Sequence, residues 1–272
     1  MNYLTNIDLW KEKKAISPTE HAVLKGLYQN YLQACQKSDY PEDKAKDVLN
    51  LFLCLTEEQI KSPFNFPPFH KRITSPTNYY QFALDFVAPL IQWKNSYLDN
   101  ESNVEIIEQY LAKNENVVLF ANHQIEPDPQ ILSLLLQDKF PQLAKVIIFL
   151  AGDRVTSDPI SIPFSLGTNL LCIYSKKYID SPPEDKERKL LHNKKTMQVM
   201  KELFEEGSKC IYVAPSGGRD RKNADGIVEI APFDPQSIEL FYLIAARAKT
   251  PTHFFPLSLN TYELLPPPAS IQ

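Results

Sequence analysis

From residue 117 onward, short runs of β-branched and apolar residues alternate with longer stretches of helical periodicity, and this alternation is the strongest constraint on the fold. Strands are expected at 117–121, 146–150, 170–174, 209–213 and 253–259, with helices at 129–137, 188–206 and 236–249. Strands separated by helices need crossover connections. The expected fold is therefore α/β, a mixed and largely parallel sheet covered by helices. Six of the seven glycines (Gly152, Gly167, Gly207, Gly217, Gly218 and Gly226) fall within this part of the chain, where such loops are needed. Gly207 is placed to end a helix.

Residues 1–74 follow a different period. Ser17-Pro18-Thr19-Glu20 is a capping box with proline at the first helical position, and Leu24, Leu27, Tyr28, Tyr31 and Leu32 follow at helical spacing. A second stripe runs Ala45, Val48, Leu49 and Phe52. Thr56 with Gln59 is expected to cap a third short helix before the proline-rich 63–69 segment breaks the pattern. The expected division is a small N-terminal helical bundle domain at 1–74 and an α/β domain at 75–272, the latter opening with helices at 79–94 and 101–113.

The chain is 43% hydrophobic and 23% charged with a net charge of −4, which suits a globular protein and argues against a nucleic-acid partner. Cys35, Cys54, Cys172 and Cys210 are widely spaced, so free thiols are expected and no metal site. No charged-then-apolar leader opens the chain, and no apolar run approaches the ~20 residues of a membrane span. A soluble protein without a transmembrane segment is expected, with transient membrane contact left open.

Candidate chemistry gathers at 116–131. A strand ends at Asn122, and His123 and Asp128 follow, the Asp bracketed by Pro127 and Pro129. Ligands of open α/β sheets bind at this carboxyl rim. Asp128 has an ordinary role available as the N-cap of the next helix, and a loop histidine is more often solvated than catalytic. The alternative is that Asp128 holds the imidazole while its free nitrogen takes a proton from a hydroxyl. After the 209–213 strand come Pro215-Ser216-Gly217-Gly218-Arg219-Asp220-Arg221. In an extended segment Arg219 and Arg221 share one side and suit an anion such as phosphate. The competing reading is a surface turn with Arg–Asp pairs through Asp220. Gly152-Asp153-Arg154 follows a strand and is placed either to line the same rim or to shape its loop through a pair of Arg154 with Asp158 or Asp153, the pair being the favoured expectation, and Gln124 and Glu126 carry weaker signals. The basic run Lys176, Lys177, Lys186, Arg188, Lys189, Lys194, Lys195 and Lys201 reads either as a solvated helix face or as a dock for an acidic partner.

His, four residues, Asp is also the signature of glycerolipid acyltransferases. Together with Ala-Gly-Asp-Arg-Val at 151–155, Asp158-Pro159, Pro163-Phe164-Ser165-Leu166-Gly167, Tyr174-Ser175-Lys176-Lys177 and Ala214-Pro215-Ser216-Gly217-Gly218-Arg219-Asp220-Arg221, it makes the chain resemble the soluble glycerol-3-phosphate 1-O-acyltransferases of plastids and chlamydia-like bacteria. The resemblance implies acyl transfer from a thioester to the sn-1 hydroxyl of glycerol 3-phosphate, the first step of phospholipid biosynthesis. It assigns His123 and Asp128 to catalysis, and Lys177, Arg219 and Arg221 to the phosphate. Tyr178 stands where the plant enzymes tend to carry a histidine. No cofactor is implied, since acyl carrier protein or coenzyme A brings the acyl group as a co-substrate. A bacterial cytoplasmic location is expected, as is truncation relative to family members that continue beyond 272. Two alternatives remain: a serine hydrolase or thioesterase using Ser216, which lacks a Gly-x-Ser-x-Gly elbow, and a membrane- or phosphoinositide-binding scaffold.

Overall fold

The computed structural model describes residues 3–175 and 179–261. Three helices open the chain: α1 (Tyr3–Glu12), α2 (Pro18–Lys37) and α3 (Glu42–Lys61). The capping box of α2 forms as expected, with the Ser17 side chain accepting from Glu20 N–H and the Glu20 carboxylate from Ser17 N–H. The expected cap at Thr56 does not. Thr56 and Gln59 lie inside α3, both buried, so the stretch is one long helix. A buried polar pair within a helix has the same spacing as a cap, and only packing separates the two.

After the two-residue strand β1 (Phe69–His70), α4 (Tyr79–Val87) gives way to 3₁₀ turns at Ala88–Leu90 and Trp93–Asn95 rather than continuing to residue 94. Pro89 lacks the N–H that another α-turn needs. Next come α5 (Glu101–Ala112), β2 (Asn116–Ala121), α6 (Asp128–Leu136), α7 (Pro141–Val146), β3 (Ile148–Gly152), α8 (Asp153–Ser157), α9 (Ile162–Leu166) and β4 (Asn169–Ile173). The order continues with α10 (Lys186–Glu206), β5 (Cys210–Val213), a small hairpin of β6 (Arg221–Lys222) and β7 (Val228–Glu229), α11 (Pro235–Arg247) and β8 (Thr252–Leu257). Gly207 ends α10 at φ +78°, and a Cβ there would come within 2.4 Å of the Asn114 carbonyl oxygen, so no other residue fits.

The main sheet has the order β1-β4-β3-β5-β2-β8, with β1 antiparallel and every other pairing parallel. This is the mixed, largely parallel sheet expected from the alternation. The central strands are buried on both faces. Val117, Leu119, Ala121, Phe149 and Tyr212 point to one face, towards α4, α6 and the N-terminal helices, while Val118, Phe120, Ile148, Ile211 and Val213 meet Met200, Leu203 and Phe204 of α10 and Phe241 of α11 on the other. The first of these layers runs continuously from Ile7 and Leu24 to the sheet. Its aromatic centre joins Tyr31, Phe52, Phe82, Phe86 and Phe164, whose neighbouring rings lie 4.6–6.1 Å apart. Because β2 and β5 are parallel neighbours, the loops that leave their carboxyl ends lie side by side. These loops carry His123 and the Arg219–Arg221 segment.

Candidate active site

His123 Nδ1 lies 2.8 Å from Asp128 Oδ2. A carboxylate oxygen accepts, so in the neutral imidazole this contact places the proton on Nδ1 and leaves the lone pair on Nε2. The two side chains differ in exposure: 30% for His123 and none for Asp128. Asp128 does not cap α6. It occupies the first turn of that helix, and its carboxylate faces back along the chain, accepting from Gln124 N–H at 2.9 Å and Ile125 N–H at 3.2 Å through Oδ2 and from the Thr261 hydroxyl at 2.6 Å through Oδ1. The cap reading is thereby corrected. With His123, four donors converge on one carboxylate, which fixes both the imidazole and the loop that carries it.

The arginine segment reaches the same loop. In the turn after β5, Gly217 adopts φ +62° and its N–H bonds Ala214 O. Asp220 then points into the protein, fully buried, while Arg219 and Arg221 keep partial exposure on either side of it. The alternative of a surface turn closed by Asp220 is not what forms, because Asp220 bonds Asn122, Gln124 and Ala231. Arg219 instead donates through Nη1 to Glu126 Oε2, with only 9% of its side chain exposed. Its guanidinium pKa is lowered, chiefly by burial, with Glu126 opposing the shift and Arg154 and Arg221 adding to it. Arg154, at the start of α8, and Arg221, at the start of β6, are thus both within electrostatic reach of Arg219. Among the described residues no ion pair joins Arg154 to an aspartate, so the favoured pairing does not form. Asp153 accepts from Ser175 N–H, and Asp158 accepts from Ile160 N–H and the Ser161 hydroxyl. Lys177, the other residue assigned to phosphate, lies outside the described residues, as do Lys176 and Tyr178.

Other groups have settled roles. The Ser216 hydroxyl donates to Gly218 O, and among the described residues no hydrogen bond joins it to an imidazole. Burial pushes the Cys172 and Cys210 thiols up to about 12, which leaves them protonated at neutral pH. Of the backbone amides near the site, that of Gly217 is engaged with Ala214 O and that of Asp128 with Ile125 O. Along α10, Lys189 is buried, and Lys186, Arg188 and Lys201 pair with Asp180, Asp185 and Glu205. Among the described residues no His, Cys, Asp and Glu side chains group as metal ligands, and no helix is long and apolar enough to cross a membrane.

Sequence reasoning missed the polar floor beneath these groups. Asn122 accepts from Leu259 N–H and donates to Leu259 O and Asp220, Gln124 accepts from Thr261 N–H, and the Tyr212 hydroxyl donates to Asn122 O. The sequence signals were Asn122, a polar residue closing an otherwise apolar run, and the weaker one of Gln124.

Comparison with known proteins adds identity to this geometry. The family model described as Acyltransferase matches residues 103–259. The chloroplastic glycerol-3-phosphate acyltransferase ATS12 of Cucurbita moschata is 39% identical over 267 residues, covering 96% of this chain and 58% of that protein. The ATS11 enzyme of the same plant is 40% identical, with 92% and 57% covered, and the chloroplastic glycerol-3-phosphate acyltransferase of Spinacia oleracea is 37% identical, with 92% and 53% covered. The chain therefore spans a little over half the length of these relatives. Their names correct the expected bacterial cytoplasmic location without a transit peptide, because these relatives and four more from other plants are all chloroplastic. With more than half of its residues matched by the family model, site included, the chain belongs to the acyltransferase family.

Proposed function

We propose that the chain is a glycerol-3-phosphate 1-O-acyltransferase, using an acyl thioester of acyl carrier protein or coenzyme A and no cofactor. The observation that carries this reading is the His123–Asp128 pair at 2.8 Å, with a free Nε2, on a loop tied through Glu126 to Arg219. Nε2 of His123 takes the proton of the sn-1 hydroxyl as its oxygen attacks the thioester carbonyl. The tetrahedral adduct collapses with cleavage of the carbon–sulfur bond, and the imidazolium returns the proton to the departing thiolate. Asp128 stabilises the transient imidazolium and keeps the ring in one tautomer. Arg219 and Arg221, with Lys177 on the strength of the resemblance, hold the phosphate and so set the hydroxyl beside the base, while Tyr178 offers at most a neutral hydroxyl donor where the plant enzymes tend to carry a histidine. Arg154 adds positive charge to the same cluster. In this proposal residues 1–74 form a supporting helical bundle domain and residues 75–272 the acyltransferase domain.

The test is acyl transfer in water, with carrier-protein and coenzyme A thioesters as donors and glycerol 3-phosphate or glycerol as acceptor. Glycerol 3-phosphate should be strongly preferred. Mixing with donor alone should give no stoichiometric burst of thiol, because no acyl-enzyme forms. A burst with acylated Ser216 would instead establish the hydrolase reading, and binding to anionic vesicles without any transfer would favour a scaffold.

A further inference from the structure

Asp220 stands between two arginines in sequence but has no part in the reaction just described. It is fully buried, and a buried carboxylate is costly unless its lone pairs are filled. Here they are. Oδ2 accepts from Asn122 Nδ2 at 2.9 Å and Gln124 Nε2 at 3.1 Å, and Oδ1 accepts from Ala231 N–H at 2.9 Å. The Asp220 N–H in turn donates to the carbonyl of His123 at 2.8 Å. Backbone and side chain alike fasten the arginine segment to the residues flanking the base. Asn122 and Gln124 are held from the far side as well, by Leu259 and Thr261, so Asp220 is clamped against a fixed frame.

We propose that Asp220 is a positioning residue that sets the register between the phosphate-holding arginines and His123. Arg219 and Arg221 flank Asp220 in the chain, so any movement of Asp220 carries both with it relative to the imidazole. A misplacement of about 1 Å between a held substrate and its base costs on the order of a hundredfold in rate. The carboxylate suits the task because all three groups it meets are donors. An asparagine amide, whichever way it is turned, sets an NH₂ against another N–H. The inference rests on the proposed acyl transfer to glycerol 3-phosphate.

Asp220→Asn in the full chain tests it, with Gln124→Leu as a second variant that cuts the tie from the other end. For each, three quantities are measured: kcat and KM for glycerol 3-phosphate, the rate with glycerol, and the affinity for inorganic phosphate. In Asp220→Asn, kcat on glycerol 3-phosphate should fall roughly ten- to hundredfold, while its KM and the phosphate affinity hold, because both arginines remain. The rate with glycerol, which has no phosphate to register, should fall far less, so the preference for the phosphorylated acceptor shrinks. Gln124→Leu should show the same pattern in smaller measure, and it decides alone if Asp220→Asn does not fold. Loss of phosphate affinity in step with kcat, or equal loss on both acceptors, assigns Asp220 to closing a turn and overturns the proposal, as does an unchanged kcat. If the unsubstituted chain acylates neither acceptor, the reaction itself is wrong, a result distinct from one in which transfer proceeds regardless of Asp220.

Discussion

The floor beneath His123 and the aromatic centre where the N-terminal helices meet the sheet are both buried, but they are held by opposite means. At the centre, Tyr31, Phe52, Phe82, Phe86 and Phe164 fill space, and only the Tyr31 hydroxyl, bonded to Phe86 O, brings polarity. At the floor, Asn122, Gln124, Asp128 and Asp220 exchange directed hydrogen bonds. Volume can be traded between neighbours that repack, whereas a donor cannot stand in for an acceptor. The centre should therefore answer substitutions in stability, and the site above the floor should answer them in rate.

The largest effect expected is at His123. His123→Ala should lower kcat by ~10²–10⁴ with little change in KM for glycerol 3-phosphate, and its partial exposure means that melting should shift little. Near-normal turnover in the folded variant would take His123 out of the mechanism. Phe52→Ala is the matching change at the centre. Phe52 is fully buried, and its truncation should cost about 3–5 kcal/mol in denaturant unfolding while the molecules that remain folded keep their kcat. A fall in kcat without a fall in stability would erase the contrast between the two regions.

Smaller effects sharpen it. Hydrogen bonds to charged groups contribute about 1.5–3 kcal/mol, so Arg219→Ala should raise KM for glycerol 3-phosphate by roughly one to two orders of magnitude, leaving KM for the acyl donor alone. Equal weakening of both substrates would mean that Arg219 only braces its loop through Glu126. The smallest effect concerns pH. Burial lowers the pKa of His70, with its bond to Leu166 O partly opposing, so the folded protein disfavours the charged ring. The unfolded chain takes up this proton first, and stability should fall as pH drops below the ordinary histidine value of about 6.5. The melting temperature should then decline from pH 7 to 5, and less steeply in His70→Phe. An unchanged slope would assign the pH dependence to other groups.

How much of this was legible in the sequence follows from the range of the forces involved. The strands of the sheet stood out because burial on both faces leaves unbroken apolar runs, and Ser17 with Glu20 because their bonds close within one turn of helix. Asp128 was recognisable as the partner of His123, yet its orientation away from α6 was not, since a cap and a back-facing carboxylate occupy the same position in sequence. The floor was out of reach. The bonds that tie its strands and loops together join residues 90–137 positions apart, and only the neighbouring of β5, β2 and β8 brings them together. Asp220 shows the cost of reading by proximity, because the arginines beside it in the chain are not its partners in space.

The bonds from Asp128 to the amides of Gln124 and Ile125 also have a consequence in time. A surface loop ordinarily lends its amide hydrogens to water and trades them with solvent within brief local openings. These two are covered by a carboxylate that is anchored in turn by α6 and Thr261, so their exchange for deuterium waits on a larger, slower parting of the helix from the sheet. They should be among the last loop hydrogens to leave. The imidazole carried on such a loop is in place long before any ligand collides with the protein, and the searching is left to the molecules that arrive.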